Sequence, residues 1–316
     1  MIGASGMLGS ELVRQLNRVG SKAAHPTRDR NIVETVFPYD GSGRLVLDIT
    51  DYAEVERLIS SLRPKAVYNC SAYTDVDKAE QEEAVATAVN GTGVENLAKA
   101  CLAVNAYFVH VSTDYVFNGQ GQRPYRPDDA TDPQGAYGRS KLAGEESIRK
   151  IDGRWLIVRT SWLFGRGGRN FVDTILKAAR KKLATEDTED TEIKNKLVPP
   201  GSDMGETPML RVVNDQTGCP TSVIDLADCL IGLVQNDCQG MYHFCNGPVC
   251  TWYDFAKKII EIAQLPCRVE PCTSSEYPRP AKRPSYSVLD CSETFESLGW
   301  KPCSLEERLH EYIKQI

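Results

Sequence analysis

The run Gly3-Ala4-Ser5-Gly6-Met7-Leu8-Gly9, leading directly into Ser10-Glu11-Leu12-Val13-Arg14-Gln15-Leu16, narrows the folds open to this chain more than any other stretch. Glycines at such spacing let the backbone turn tightly, approach a pyrophosphate and pack the following amphipathic helix on a strand, with the helix N-terminus facing the phosphates. The pattern is Gly-x-x-Gly-x-x-Gly, which differs from the Gly-x-Gly-x-x-Gly of simple dinucleotide dehydrogenases. A turn of this kind normally follows a buried central strand, yet only Met1 and Ile2 precede Gly3. The first strand is therefore expected to be largely missing: either the chain begins late, as from a misplaced start codon, or a stub holds the sheet centre. Loss of that strand is expected to weaken both cofactor binding and stability.

Downstream, strand-like apolar runs alternate with helical segments, the pattern of a parallel sheet covered on both faces. Arg44–Asp48, Ala66–Cys70, Tyr107–Val111 and Leu156–Arg159 read as strands, and Asp51–Leu62 and Ala84–Val104 as helices. The fold class is thus α/β, a Rossmann-like doubly wound parallel sheet with a smaller C-terminal domain. Ligands in such sheets sit outside the carboxyl ends of the strands, where Asp48, Ser71-Ala72-Tyr73, Ser112-Thr113 and Thr160-Ser161-Trp162 all fall.

Composition removes several function classes. A net charge of −6 argues against a general nucleic-acid or membrane-surface partner, so phosphate recognition must be local. No run of about 18 apolar residues is present. Eleven cysteines, an odd number without paired metal spacing, fit reduced thiols in a cytoplasmic protein better than a disulfide framework. An upstream targeting segment stays open, given the short N-terminus.

Chemistry enters at Ala136-Tyr137-Gly138-Arg139-Ser140-Lys141. Four-residue spacing on a helix sets a phenol beside an ammonium. An ammonium roughly 5 Å away, at an effective dielectric near 20, favours the phenolate by about 3 kcal/mol, or about two pKa units below the usual value near 10. Such a tyrosine can protonate a carbonyl oxygen as hydride arrives. Ser112-Thr113 follows a strand and places a hydroxyl where that phenol would act.

With the glycine turn, Thr113 and the Tyr137/Lys141 pair in this order, the chain resembles the extended short-chain dehydrogenase/reductases, and among them the dTDP-4-dehydrorhamnose reductases. The matching stretches include Leu47-Asp48-Ile49-Thr50-Asp51, Asn69 to Glu80, Val89-Asn90, Val111 to Phe117, Tyr137 to Glu145, Arg159 to Trp162, Asn214 to Thr221, Asp225 to Asp228 and Arg283-Pro284. The resemblance implies NAD(P)H-dependent reduction of the C4 ketone of dTDP-4-dehydro-L-rhamnose to dTDP-L-rhamnose. It implies that Thr113 hydrogen-bonds the C4 oxygen, that Tyr137 supplies its proton, and that Lys141 holds the nicotinamide ribose. Gly3, Gly6, Met7, Leu8 and Gly9 then match the pyrophosphate turn, Asp48 and Ile49 the adenine side, and Ser71, Ala72 and Tyr73 the nicotinamide half. Asp114, Tyr115 and Trp162 match sugar-pocket residues. Dehydratases of the same superfamily carry Thr-Asp-Glu where this chain has Thr113-Asp114-Tyr115, which argues against loss of water.

Other positions set the finer expectations. After the expected second strand comes His25-Pro26-Thr27-Arg28, with no acidic residue placed for a ribose 2′-hydroxyl; Arg28 suits a 2′-phosphate, so NADPH is expected, with NADH open. Arg283, beside Lys282 in a Pro-rich loop, is a candidate for the substrate diphosphate. Some family members bridge a homodimer with magnesium held by glutamates; Glu11 matches one, but Ile224 stands where another is needed, so no metal is expected and a homodimer stays open. Residues 1–165, with 222–248 returning, are expected to form the dinucleotide-binding domain, and 166–221 with 249–316 the substrate domain. The latter includes an acidic insertion, 183–208, expected to be disordered. Thr251–Leu265 reads as a helix capped by Thr251. A reading of a different class is a non-catalytic regulatory subunit, because the methionine adenosyltransferase β-subunit shares this fold and much of the pattern.

Overall fold

A computed structural model describes residues 1–22, 32–36, 43–188 and 208–316 of the chain. At its centre, the strand Gly240–His243 pairs in parallel with Trp155–Thr160, that with Tyr107–Thr113, and that with Ala66–Asn69. Beyond Asn69 the sheet continues through a single residue. Ile2 bridges in parallel to both Asn69 and Thr35. Its N–H donates to the Tyr68 carbonyl at 2.9 Å and its carbonyl accepts from Cys70 N–H at 3.0 Å. Thr35–Val36 then pairs with Leu45–Val46 at the edge. The stub therefore occupies the middle of the sheet, because neighbours on both sides supply its hydrogen bonds. Leu45 and Val46 are 47% and 49% exposed, so the segment expected as a buried strand is instead a short open edge.

Chain order along the sheet reverses at Ile2: the earlier strands lie to one side and the later ones to the other, which makes this the switch point where such sheets bind ligands. Side chains alternate across the sheet as the pleat requires. Tyr68, Val109, Leu156 and Val158 pack with the glycine-turn helix Met7–Lys22 and the helix Val223–Gln235. Val67, Phe108 and Ile157 face the other way, onto the helices Tyr52–Leu62, Gly93–Ala103 and Ala136–Arg149. Asp51 caps the first of these by accepting from Glu54 N–H at 3.1 Å. The expected helix 84–104 is interrupted by a π-helical turn at 88–92.

A third apolar cluster stands apart from the sheet. Phe164, Leu176, Leu210, Phe255, Ile259 and Leu309 gather around the parallel pair Met209–Val213 and Arg268–Cys272. Its helix Trp252–Ile262 begins as expected at Thr251, where a capping box with Asp254 satisfies the first N–H groups. The helix Phe171–Thr188 corrects one expectation. Residues 183–188, read as the start of a disordered insertion, continue it, since Lys-Lys-Leu-Ala prolongs a run of good helix formers. Residues 189–207 of that insertion, like Arg28, lie outside the described residues. Among the described residues no helix is long and apolar enough to cross a membrane. All eleven cysteines are free thiols.

Candidate active site

A cleft of about 1190 Å³ opens at the switch point. Gly3, Gly6, Met7, Leu8, Asp48, Ile49, Ser71, Ala72 and Tyr73 line it. Thr113, Asp114, Tyr115, Tyr137, Lys141 and Trp162 line the same space. Gly9 stands behind the turn: a Cβ there would overlap the Gly3 carbonyl. Gly3 adopts φ +76°, and a Cβ on it would come within 2.7 Å of Ser71 N, so no other residue fits this crossing of the turn and the next strand end.

The stretch from Ser71 to Glu80 is a set of fasteners. Asn90, buried in the π-helical turn, accepts from Tyr73 N–H at 2.9 Å and donates to the Tyr73 carbonyl at 3.0 Å and to Ser140 Oγ at 2.9 Å. Glu80 Oε1 accepts from Ala136 N–H at 2.9 Å, capping the helix that carries Tyr137, for which Gly135 has no side chain to offer. The 71–80 stretch and the helix that carries Tyr137 are thereby tied together.

Tyr137 is half-buried, edge-on to Tyr115, ring centroids 5.6 Å apart. Burial pushes its phenol up to about 12; a hydrogen bond with Thr113 pulls back, and Asp114 adds to the rise. This corrects the expectation that Lys141 lowers the tyrosine. The lysine is 2% exposed, and its Nζ is turned to the strand Tyr107–Thr113, donating to the Val111 carbonyl at 2.7 Å and lying 3.2 Å from His110 Nε2. Its own value falls to about 8 through burial. Thr113 Oγ1 donates to Asp114 Oδ1 at 3.0 Å. The Asp114 carboxyl rises to about 6 because it is buried, against hydrogen bonds from Ser287 and Thr113. A protonated phenol and a threonine hydroxyl thus share one corner of the cleft, an arrangement suited to protonating a carbonyl oxygen.

Trp162 closes the opposite side. It holds a left-handed φ of 49° and stacks on Trp252 at 3.5 Å, with Gly218 against its indole.

A family model described as RmlD substrate binding domain matches residues 1–190 and 202–316. The chain belongs to the dTDP-4-dehydrorhamnose reductase family. It is 40% identical to a dTDP-4-dehydrorhamnose reductase of Streptomyces griseus, over 98% of this chain and 88% of that protein. It is also 37% identical to the spore coat polysaccharide biosynthesis protein SpsK of Bacillus subtilis, over 99% and 95%. Among solved structures, the dTDP-4-dehydrorhamnose reductase of Bacillus anthracis, crystallised with NADP, superposes with a TM-score of 0.80 at 32% identity, covering 100% of this chain and 98% of that one.

Arg283, expected to meet the substrate diphosphate, is paired within the protein in this structure. It forms a two-pronged ion pair with Asp77, one arm at 2.9 Å, and donates to the Ala281 carbonyl at 2.7 Å. It lines a separate cavity of about 140 Å³ that meets the main cleft at Tyr115. The cation thus locks the Pro-rich loop onto the Asp75–Glu80 stretch and does not face the main cleft. Several supporting residues were given no role by the sequence reading: Asn69, Asn90, His110, Glu145 and Arg159, all nearly or fully buried. Glu145 accepts from Ser112 Oγ at 2.6 Å and from Arg159 at 2.9 and 2.7 Å. The available signal was a polar residue inside an apolar run, as His110 is in Tyr107-Phe108-Val109-His110-Val111. Such a residue is buried only with a partner.

Proposed function

We propose that this chain reduces the C4 ketone of dTDP-4-dehydro-L-rhamnose to dTDP-L-rhamnose, with NADPH as reductant. The observation that carries the reading is the meeting of Thr113, Tyr137 and Lys141 in one cleft with the glycine turn. The cleft exceeds the roughly 300–1,000 Å³ of a single small-ligand site, leaving room for a dinucleotide and a nucleotide sugar together. The crossing of Gly3 over Ser71, which a Cβ would fill, fits a pyrophosphate at the N-terminus of the helix Met7–Lys22.

In this reading NADPH, when bound, supplies the hydride. Gly3, Gly6, Met7 and Leu8 hold its pyrophosphate, Asp48 and Ile49 its adenine side, and Ser71 to Tyr73 its nicotinamide half. Lys141 reaches the ribose. Thr113 orients the ketone oxygen, and Tyr137 donates a proton to it as negative charge develops. Asp114, Tyr115 and Trp162 form the sugar pocket. Residues 1–165 with 222–248 hold the cofactor, and 166–221 with 249–316 hold the sugar nucleotide, with the Trp162–Trp252 stack on the seam. Eleven free thiols suit a cytoplasmic setting. Neither nucleic acid nor membrane is a partner in this reading.

The regulatory-subunit reading is not favoured, because the relatives described above include named reductases and the proton-donor corner is intact. The deciding experiment mixes purified protein with NADPH and dTDP-4-dehydro-L-rhamnose and follows NADPH absorbance. Substrate-dependent oxidation is expected. No oxidation, together with co-purification of a methionine adenosyltransferase, would reverse the assignment.

A further inference from the structure

One row of side chains crosses the sheet beneath the catalytic corner. Asn69 and His110 are register partners on adjacent strands. Asn69 Oδ1 accepts from Ser71 N–H at 3.1 Å and from Ser71 Oγ at 2.6 Å, and a backbone N–H can only donate. The Asn69 amide is therefore fixed with its NH₂ toward His110 Nδ1, 3.1 Å away. That ring nitrogen must accept.

His110 is fully buried, and burial followed by the neighbouring lysine holds its imidazole well below the ordinary value, hence neutral. A neutral imidazole carries one proton, and with Nδ1 accepting, that proton is on Nε2. Nε2 lies 3.2 Å from Lys141 Nζ. An ammonium has three donors and no acceptor, so a charged lysine would set N–H against N–H. An uncharged amine resolves the contact: Nε2–H donates to its lone pair, and one amine hydrogen goes to the Val111 carbonyl at 2.7 Å. Turning the amide, moving the imidazole proton or charging the ring each breaks one of these contacts.

We propose that His110 is a positioning residue that, in the cofactor-free protein, favours Lys141 as an uncharged amine, so that at alkaline pH the lysine takes a proton from solvent when NADPH binds. The inference rests on the assignment of this cleft to NADPH. Binding brings ribose hydroxyls as acceptors and phosphates as anions, both of which favour the ammonium. Nζ then turns from Nε2 to the ribose, and one buffer proton converts the amine to the ammonium. The groups facing Nζ are His110 on the strand Tyr107–Thr113, the Cys70 thiol after the strand Ala66–Asn69, and Tyr137 and Glu145 on its own helix. Of these, Glu145 and Cys70 work toward the charged form, while burial outweighs both and lowers the lysine to about 8. The Met1 ammonium acts on Cys70 from the far side.

Calorimetry of NADPH binding to the full chain, in buffers of differing ionisation enthalpy between about pH 6 and about pH 10, counts the protons taken up per cofactor. For the wild type, uptake is expected to rise from near zero to about one proton across about pH 8. Asn69→Asp gives Nδ1 an acceptor, which moves the imidazole proton to Nδ1 and lets Nε2 accept from an ammonium. The midpoint should then rise by at least about one pH unit, a tenfold gain in proton affinity. His110→Leu removes the donor and should shift it the same way. Should either variant fail to fold, the Nζ resonance of Lys141 in ¹⁵N-lysine-labelled wild type distinguishes amine from ammonium directly. NADPH binding without proton uptake, an ammonium resonance at about pH 9, or an unmoved midpoint in a folded variant overturns the proposal. Absence of any NADPH binding would instead count against the functional assignment, and the resonance would still decide the state of the lysine.

Discussion

Replacing Tyr137 by phenylalanine removes one oxygen and leaves the rest of the corner in place. The ring still packs edge-on against Tyr115 at 5.6 Å, so the fold and the cofactor wall should be retained. Because burial lifts the phenol to about 12, it is fully protonated near neutrality and ready to donate. A positioned acid contributes about 10²–10⁴ in rate. At about 1.4 kcal/mol per factor of ten, that is roughly 3–5 kcal/mol of barrier. Thr113 remains as a second donor to the ketone oxygen, which places the expected fall in kcat nearer the lower bound, about 10²- to 10³-fold. Single-turnover oxidation of NADPH by dTDP-4-dehydro-L-rhamnose measures the chemical step, and NADPH titration by fluorescence should give a Kd within about threefold of wild type. If turnover stays within about tenfold while binding is unchanged, the proton comes from another group.

Three further outcomes follow from the same geometry. Glu145→Gln leaves the Arg159 guanidinium, 1% exposed, without its counter-charge, and should cost about 3–5 kcal/mol in urea unfolding; a loss under about 1 kcal/mol would mean the pair is not a desolvated one. Asp114 has a folded-state value of about 6, above its ordinary 3.8, so the folded protein binds that proton more tightly than the unfolded chain. Its stabilising contribution is complete below 3.8 and lost as pH rises to about 6. Asp114→Asn should therefore raise stability by about 3 kcal/mol near pH 8 and by little near pH 4, and equal melting shifts at both would contradict the burial argument. Trp162→Ala should raise KM for the nucleotide sugar about tenfold with little change in NADPH affinity; a matching loss in both would place the indole on the cofactor side.

How far the chain could be read in advance depended on whether a feature was local. The glycine turn, the capped helix at Thr251 and the Tyr137/Lys141 spacing are each contained in a few residues, and the structure brings the turn and the pair to one cleft. What lay beyond reach was set by partners far away in sequence. Four-residue spacing puts Lys141 near Tyr137 but does not say that Nζ will turn to His110 and Val111, about 30 positions earlier. Arg283 looked available for a diphosphate because its partner, Asp77, is 206 positions away. The central strand was legible only as two alternatives, and the structure holds the one with a stub. A run of two residues has no pattern to read, yet Ile2 holds its place because the strands beside it are already spaced to receive it.

The bond from Ala136 N–H to Glu80 has a bearing on how this enzyme can diversify. Moving the helix that carries Tyr137 would require the 71–80 turn to shift as well, so drift on that side is held in check from two directions. Among the described residues, Trp162 and Gly168, which line the same cleft, have no hydrogen bond to the helix that carries Tyr137. Change in which hexose is accepted should accumulate there, with the delivery of the proton left as it was.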